Sequence, residues 1–260
     1  MEFKAKKSLG QNFLIDKNII KKIVNLGNIS KDDKILEIGP GTGNLTEYII
    51  KSNPRHITVI EKDIELTKIL EKKFNKDIEI INNDVLKMKE NFYDDEFIIY
   101  GNLPYNISTK ILSNWCLSKK IKIKKLILMF QKEVADRIVA KVNTREYSRV
   151  TILANWKFNV NKVFDISPEC FSPRPKVKST LLEFIPKKNI TEIENPKNLE
   201  KITKIFFSQR RKMIKKNFKR LFKNFGIISE KINIKLTDRP QNISVDKFLI
   251  LVKEFENQSN

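Results

Sequence analysis

The sequence predicts an α/β protein with a mostly parallel sheet, followed by a small all-α domain. Five short apolar runs of strand character alternate with stretches of helical periodicity over residues 35–139. The first of these runs leads through a glycine-rich turn into a helix. After Pro186 the composition shifts, and apolar residues recur only at helical spacing. We therefore expect one domain over residues 1–186 and a helical domain over residues 187–260.

The amino-terminal stretch is basic and then reads Gly10-Gln11-Asn12-Phe13-Leu14. Phe13 and Leu14 are apolar and need a pocket, so an ordered arm is expected. The amides of Gln11 and Asn12 either hydrogen-bond a ligand that lies beneath them or are solvated parts of a capping segment. Asp16 is placed to cap the helix that follows, and Asp63 is placed to cap the helix after the second predicted strand.

The glycine-rich turn follows the first predicted strand in KILEIGPGTG, residues 34–43. Gly39 and Gly41 let the backbone approach a ligand closely, and the helix that follows offers free N–H groups. The spacing G-x-G-x-G differs from the G-x-G-x-x-G of dinucleotide sites. Glu37, just inside the strand, suits a cationic ligand such as one that carries an α-amino group.

Acidic residues follow the second and third predicted strands. Glu61 ends the strand over residues 57–61, at the distance after the glycines where a carboxylate binds ribose hydroxyls. Asp84 follows the strand over residues 78–81 and is placed to accept from an adenine amine. Each residue is alternatively only a cap. Because the carboxyl ends of parallel strands meet at one edge, we expect these side chains to lie together.

The fourth predicted strand, residues 96–100, delivers Gly101-Asn102-Leu103-Pro104-Tyr105 to the same edge. Pro104 stiffens this loop, and we expect its carbonyls to point outward. Asn102 adds an amide acceptor and Tyr105 a flat π surface. The loop therefore suits a planar group that bears an amine, such as an extruded nucleobase. The alternative is an ordinary turn, in which Asn-x-Pro is common.

Beyond a fifth strand, the pattern predicts a helix from Thr151 to Trp156 and two strands that finish the sheet in antiparallel fashion, over residues 157–166 and 176–185. Phe171, in the proline-rich loop between them, is either an exposed base-stacking residue or a buried anchor. Residues 208–223 are dense in Arg and Lys with interleaved aromatics. They fit a helix face that tracks phosphates, or alternatively a solvated helix.

The composition limits which kinds of partner and metal site the protein can have. The chain has 51 Lys and Arg against 31 Asp and Glu, a net charge of +20, which favours a polyanion even after allowance for a bias toward Lys. Two cysteines fit neither a disulfide framework nor a zinc site, and a single histidine argues against a His-ligated metal or a Ser-His-Asp triad. No apolar run reaches membrane-spanning length, and a secretory signal is missing. We expect a cytoplasmic protein that requires no metal and has no membrane partner.

Seven motifs occur along nearly the whole chain, in the order LGQNFL (Leu9–Leu14), EIGPGTG (Glu37–Gly43), Glu61, Asp84, NLPY (Asn102–Tyr105), FSPRPKVKS (Phe171–Ser179) and FFSQRRK (Phe206–Lys212). In type and order they resemble the motifs of the ribosomal RNA adenine dimethyltransferases. Leu103, Pro40 and the segment QRRK point to the branch that dimethylates two adjacent adenosines near the 3′ end of small-subunit rRNA. Lys178 stands where relatives often carry an acid.

The resemblance implies a class I methyltransferase domain, which is Rossmann-like with a mostly parallel seven-stranded sheet, and S-adenosylmethionine as donor. Asn12, Leu14 and Gly39 would line the methionine part of the donor, Glu61 would bind the ribose hydroxyls, and Asp84 with Val85 the adenine ring. The residues expected to bind the donor are Asn12, Leu14, Gly39, Gly41, Glu61, Asp84, Val85 and Asn102.

The expected catalytic residues are Asn102, Pro104 and Tyr105. A flipped adenine would stack on Tyr105, while its N6 donates to the Asn102 side chain and to the region of the Pro104 carbonyl. Arg210, Arg211 and Lys212 would contact RNA.

The expected substrate is small-subunit rRNA in an immature small ribosomal subunit, and we expect the protein to act as a monomer. The alternatives are an adenine N6-methyltransferase of large-subunit rRNA, of the macrolide-resistance type, an NAD-dependent oxidoreductase, and an assembly factor that binds rRNA without methylating it. The glycine spacing and the NLPY loop argue against the oxidoreductase.

Overall fold

The computed structural model describes residues 5–6, 10–88, 92 and 95–258, so Leu9 of the LGQNFL motif lies outside the described residues. The chain divides into two compact units. The first unit comprises Met1–Leu112, Lys120–Ala135 and Val160–Pro186, and the second comprises Ser113–Lys119, Asp136–Asn159 and Lys187–Asn260. The predicted boundary after Pro186 coincides with the last change of unit. Residues 113–119 and 136–159, expected in the first domain, group instead with the carboxyl-terminal helices.

The strands and helices of the described residues alternate through the first part of the chain, and helices dominate its end. In chain order they are β1 (Phe13–Leu14), α1 (Lys17–Leu26), β2 (Lys34–Ile38), α2 (Asn44–Lys51), β3 (His56–Glu61), α3 (Ile64–Phe74), β4 (Glu79–Asn82), β5 (Glu96–Asn102), α4 (Ser108–Leu117), β6 (Lys122–Gln131), α5 (Lys132–Ile138), α6 (Arg149–Lys157), β7 (Phe158–Ile166), β8 (Phe171–Ser172), β9 (Ser179–Pro186), α7 (Pro196–Phe207), α8 (Lys215–Leu221), α9 (Phe225–Lys231) and α10 (Val245–Asn257).

A seven-stranded sheet in the order β4-β3-β2-β5-β6-β9-β7 forms the centre of the first unit. The strands β4, β3, β2, β5 and β6 pair in parallel, and β9 runs antiparallel to β6. The mostly parallel sheet is therefore confirmed, and β9 is an antiparallel strand that follows the five parallel ones. Ile38 pairs with both Ile60 and Gly101, and Glu61 pairs with Asn82. This register brings the ends of β2, β3, β4 and β5 to one edge, as predicted.

Two predicted caps start helices of the first unit. The carboxylate of Asp16 accepts from the N–H groups of Asn18 and Ile19, and that of Asp63 accepts from the N–H of Glu65. These bonds satisfy donors that a helix start leaves free. Helix α1 can then bury one apolar face, with Ile20 and Ile23, against the sheet core.

The proline-rich loop is anchored by a two-stranded sheet between β1 and β8. Leu14 pairs with Phe171 and Phe13 with Ser172. Phe171 is only 3 % exposed and belongs to the apolar core of the first unit. Of the two alternatives for Phe171, the buried anchor is therefore the observed one.

The second unit is held together by aromatic side chains. The ring of Phe206 meets those of Phe218 and Phe248 edge to face, with centroids 5.6 and 5.4 Å apart. This geometry matches the opposite charges of ring faces and edges.

One prediction for the second unit is wrong, because residues 208–223 do not form a single helix. Helix α7 ends at Phe207 and α8 begins only at Lys215. In the turn between them, the N–H of Ile214 donates to the carbonyl of Asp238, and that of Lys215 to Leu236. These long-range bonds take N–H groups that a continuous helix would use internally.

In the part of the chain that is described, no helix is both long enough and apolar enough to span a membrane.

Candidate active site

A cleft opens at the carboxyl edge of the sheet in the first unit. It holds about 1010 Å³ of space, part of which is open solvent. Its walls come from the amino-terminal arm, the ends of β2, β3 and β5, and the residues after β4. Nearly all residues predicted for the donor and the target line this one cleft, namely Asn12, Gly39, Gly41, Glu61, Asp84, Val85, Asn102, Pro104 and Tyr105.

Leu14 is the exception. Its side chain is buried, and it borders a smaller adjoining cavity that Gly39 and Asn102 also line. Its backbone carbonyl accepts from the amide of Asn44 at 2.8 Å. The structure therefore gives Leu14 a place behind the cleft wall.

The glycine turn is shaped by the arm that lies over it. Gly41 has a φ of +59°, and a Cβ added there would lie 2.6 Å from Cδ1 of Phe13. A side chain at this position would therefore be strained by its backbone and would also clash with Phe13. Gly39, with a φ of +68°, is the other cleft-lining glycine in this turn.

Glu61 is 7 % exposed at the end of β3. One carboxylate oxygen accepts from the N–H of Asp63 at 2.9 Å and the other from the N–H of Gly41 at 3.3 Å. Burial raises the pKa of Glu61 above its ordinary value, although these N–H groups oppose the rise. Each oxygen has a second lone pair, so the carboxylate can accept a further pair of hydrogen bonds from hydroxyls in the cleft.

Asp84 caps a short 3-10 turn over Val85–Lys87 and also lines the cleft. One oxygen accepts from the N–H of Leu86 and the other from Nζ of Lys62, both at 3.0 Å. Burial alone would raise the pKa of Asp84, but these two donors outweigh it and leave the pKa below its ordinary value. Asp84 is therefore an ionised acceptor at neutral pH, and the alternative role as a cap is also realised.

Asn102, the last residue of β5, is oriented by the arm. Its Nδ2 donates to the backbone carbonyl of Asn12 at 2.8 Å. A carbonyl can only accept, so the nitrogen end of the amide must face Asn12. The oxygen end then points away from Asn12 and remains an acceptor.

Tyr105 is half-buried in the cleft wall, and its hydroxyl lies 2.7 Å from Oγ of Ser179. This contact ties the ring to the first residue of β9, and burial raises the pKa of Tyr105.

The prediction that the Pro104 carbonyl points outward is wrong. That carbonyl accepts from the N–H groups of Ile107 and Ser108, both at 3.1 Å, where α4 begins. Both of its lone pairs are therefore used within the chain.

Two polar residues of the motifs have partners that the sequence did not predict. The amide of Gln11 donates to Asp63 at 2.9 Å, and Gln11 also lines the cleft. The carboxyl of Glu37 is buried and accepts from the hydroxyl of Thr46 at 2.7 Å. Glu37 is not among the residues that line the main cleft, but it borders the smaller adjoining cavity.

The three residues predicted to contact RNA lie in the second unit, in the turn between α7 and α8. Arg210 is half-buried and donates to Oε1 of Gln241 at 3.3 Å and to the carbonyl of Thr144 at 3.4 Å. Arg211 and Lys212 are exposed. In this turn Arg210 therefore makes contacts within the chain, whereas Arg211 and Lys212 are exposed to solvent.

Among the described residues, no group of three or more His, Cys, Asp and Glu side chains could hold a metal ion.

Comparison with known proteins gives consistent matches over the full chain. The family model described as ribosomal RNA adenine dimethylase matches residues 2–257. The chain is 53 % identical over 260 residues to ribosomal RNA small subunit methyltransferase A of Pelagibacter ubique, covering 99 % of both chains. It is 42 % identical over 258 residues to the protein of the same name from Malacoplasma penetrans, covering 98 % of this chain and 93 % of the relative.

Solved structures share the fold. A dimethyladenosine transferase from Plasmodium falciparum superposes with a TM-score of 0.79 at 26 % identity, over 95 % of this chain and 98 % of that one. The 23S rRNA methyltransferase ErmE has the same fold, with a TM-score of 0.70 at 23 % identity, over 94 % and 99 % of the two chains. With its class I methyltransferase fold, and with a family match from end to end, this chain belongs to the ribosomal RNA adenine dimethylase family.

Proposed function

We propose that this protein transfers methyl groups from S-adenosylmethionine to N6 of two adjacent adenosines near the 3′ end of small-subunit rRNA. The observation that carries the proposal is the convergence of Glu61, Asp84 and Asn102 with the NLPY loop on one cleft. Membership of the adenine dimethylase family and 53 % identity to a small-subunit rRNA methyltransferase support this substrate over large-subunit rRNA.

The cleft suits S-adenosylmethionine. Glu61 retains free lone pairs for ribose hydroxyls, and Asp84 is an ionised acceptor for the adenine amine. Asn12, Gly39 and Gly41 line the remaining wall, where the glycines allow close approach of the backbone. When bound, this donor supplies an electrophilic methyl group on a sulfonium.

The NLPY loop suits the target base. The ring of Tyr105 offers a stacking face to an adenine flipped out of the RNA. The Oδ1 of Asn102, held away from Asn12, accepts one N6 hydrogen. Because the Pro104 carbonyl is already engaged, we assign the second N6 hydrogen to the Leu103 carbonyl, which precedes it in the loop.

These acceptors would activate the amine. Two hydrogen bonds from N6 draw its lone pair out of conjugation with the ring, and the nitrogen becomes a better nucleophile. Most of the acceleration would come from holding the base in this orientation, since positioning alone supplies a large part of a barrier reduction. After the first transfer one N6 hydrogen is replaced by methyl, so only one of the two acceptors can still be used.

The second unit would hold the RNA by its backbone. Arg211 and Lys212 are exposed, and the chain carries a net charge of +20. Contacts of this kind position the nucleic acid without reading its sequence. We propose further that the substrate is rRNA within an immature small subunit and that the protein acts there as a cytoplasmic monomer.

The direct test is transfer of tritium from labelled S-adenosylmethionine to immature small subunits that lack the modification, followed by nucleoside analysis. A dimethyladenosine peak is expected. Transfer only to naked large-subunit rRNA would move the protein to the resistance-methylase branch. Donor binding without transfer to either RNA would leave a binding protein and overturn the proposed reaction.

A further inference from the structure

Asp63 is a buried carboxylate with more partners than a helix cap requires. Its side chain is 1 % exposed at the start of α3. Besides the N–H of Glu65, it accepts from Nζ of Lys6 at 2.8 Å and from Nε2 of Gln11 at 2.9 Å. A cap needs only the first of these bonds. The two others join α3 to the amino-terminal arm.

The same residue also contacts the proposed donor site. The backbone N–H of Asp63 donates to Oε1 of Glu61 at 2.9 Å. Gln11 completes a closed loop of contacts, because its Oε1 accepts from the backbone N–H of Lys6 at 2.6 Å. The arm, the start of α3 and the carboxylate of Glu61 therefore form one hydrogen-bonded network.

The arm is fastened on the other side of the cleft as well. The carbonyl of Asn12 accepts from Asn102, and a Cβ added to Gly10 would lie 3.8 Å from Cβ of Pro104. Between these contacts and Asp63, the side chain of Phe13 lies against Gly41. Residues 10–13 thus cross the cleft as a strap, with Asn102 at one side and Asp63 at the other.

We infer that Asp63 is a positioning residue for donor binding, which latches residues 10–13 over the cleft through Gln11 and Lys6. The inference rests on the proposed function, because it takes the cleft to be the donor site. Its consequence is kinetic. Ligands enter and leave quickly only when the latch formed by Asp63, Gln11 and Lys6 opens, so the latch limits the dissociation rates of donor and demethylated product as well as their association rates.

Asp63→Asn is the most conservative test. Asparagine still caps a helix and keeps the backbone N–H to Glu61. It has one acceptor oxygen where Asp63 has two, so its NH₂ group faces Lys6 or Gln11, both donors. Lys6→Met and Gln11→Ala open the same latch without touching Glu61. Glu65→Gln is the matched control, since Glu65 also contacts Lys6, at 3.1 Å, but is 60 % exposed and has no bond to Gln11.

The measurements are stopped-flow dissociation of S-adenosylmethionine and S-adenosylhomocysteine, and hydrogen exchange of amides 10–14 in the ligand-free protein. We expect dissociation about tenfold faster in each latch variant, because hydrogen bonds to charged groups are lost. Amides 10–14 should exchange faster, and the double variant Lys6→Met/Asp63→Asn should resemble Asp63→Asn. The control should stay within about twofold of the parent.

Unchanged dissociation rates in Gln11→Ala and Lys6→Met would overturn the latch. This holds even if Asp63→Asn binds the donor poorly, because that substitution can also displace Glu61. An equally large increase of the dissociation rate in the Glu65→Gln control would also overturn the latch, because a change of surface charge alone would then explain the effect. If the parent protein binds neither ligand in calorimetry, the proposed function fails instead.

Discussion

The side chain of Asn102 donates from Nδ2 to the backbone carbonyl of Asn12 at 2.8 Å, which fixes the end of the amide that faces the proposed target. The bond links the last residue of β5 to the amino-terminal arm, 90 residues earlier in the chain. An acceptor is thereby positioned by a backbone group and not by the rotamer preference of the side chain alone.

Replacement of Asn102 should damage turnover more than donor binding. Asn102→Ala removes the acceptor, and Asn102→Asp places a carboxylate oxygen against the Asn12 carbonyl, so both lose the aligned geometry. We expect kcat to fall by about 100-fold or more, which is the scale of a small misplacement of reacting groups. Single-turnover methyl transfer at saturating donor, with donor affinity from calorimetry, separates the two effects. Intact turnover in Asn102→Ala would show that the amide has no role in the reaction.

Glu61→Gln should reduce donor affinity more than turnover. Glutamine has a single acceptor oxygen, and its NH₂ group would face the N–H of Asp63 or of Gly41. We expect donor affinity to fall about tenfold or more, because charge-assisted bonds to hydroxyls are lost, with a smaller change in kcat at saturation. Glu71→Gln, an exposed substitution on α3, is the control. Equal donor affinity in Glu61→Gln and Glu71→Gln would remove Glu61 from the donor site.

Much of the fold and of the cleft could be predicted because both follow from local patterns. Predicted strands that end in Glu61 and Tyr100 specify a parallel sheet whose ends meet, so the residues beyond them share an edge. Asp16 and Asp63 stand where a helix start requires an acceptor, and both caps were predicted correctly.

The errors arose where a distant segment decides the outcome. The break after Phe207 depends on Asp238 and Leu236, which take N–H groups from the turn, and no local signal in residues 208–223 announces it. The Tyr105 contact with Ser179 joins residues 74 positions apart. The prediction for the Pro104 carbonyl was wrong for a different reason. It considered only the stiffness of the proline, whereas the carbonyl accepts from the N–H groups at the start of the next helix.

Glu37 should make stability depend on pH. Burial raises the pKa of Glu37 to about 7, although the hydroxyl of Thr46 opposes the rise, and the carboxyl is 2 % exposed. The folded state thus holds a proton that the unfolded chain releases near pH 4.5. The contribution is present in full below that pH and is lost as pH rises through about 7.

Glu37→Gln removes this titration and keeps an acceptor for Thr46. Relative to the parent, the variant should gain roughly 2–3 kcal/mol in free energy of unfolding between pH 5 and pH 8. Urea denaturation at both pH values measures the difference, with the exposed Glu71→Gln as the comparison. A constant difference between Glu37→Gln and the parent across this range would mean that the carboxyl is ionised in the fold throughout.

Arg210 and Arg211 are adjacent in sequence, yet their substitution should have different results. Arg210 donates to Gln241 and to the carbonyl of Thr144 inside the second unit, whereas Arg211 is exposed. Arg210→Ala should therefore lower the free energy of unfolding by about 1 kcal/mol, in keeping with the loss of long hydrogen bonds. Arg211→Ala should leave stability within about 0.5 kcal/mol of the parent.

The salt dependence of rRNA binding should also distinguish Arg211→Ala from Arg210→Ala. If the Arg211 guanidinium neutralises one phosphate, Arg211→Ala lowers the slope of log affinity against log salt by about one and weakens binding to unrelated RNAs as well. Arg210→Ala should change this slope less, because the Arg210 guanidinium is directed toward Gln241 and Thr144 within the chain. Filter binding from low to high salt gives both slopes, and Glu71→Gln tests whether a charge change in the first unit moves them. An unchanged slope in Arg211→Ala would place the RNA on another surface, whatever happens to stability.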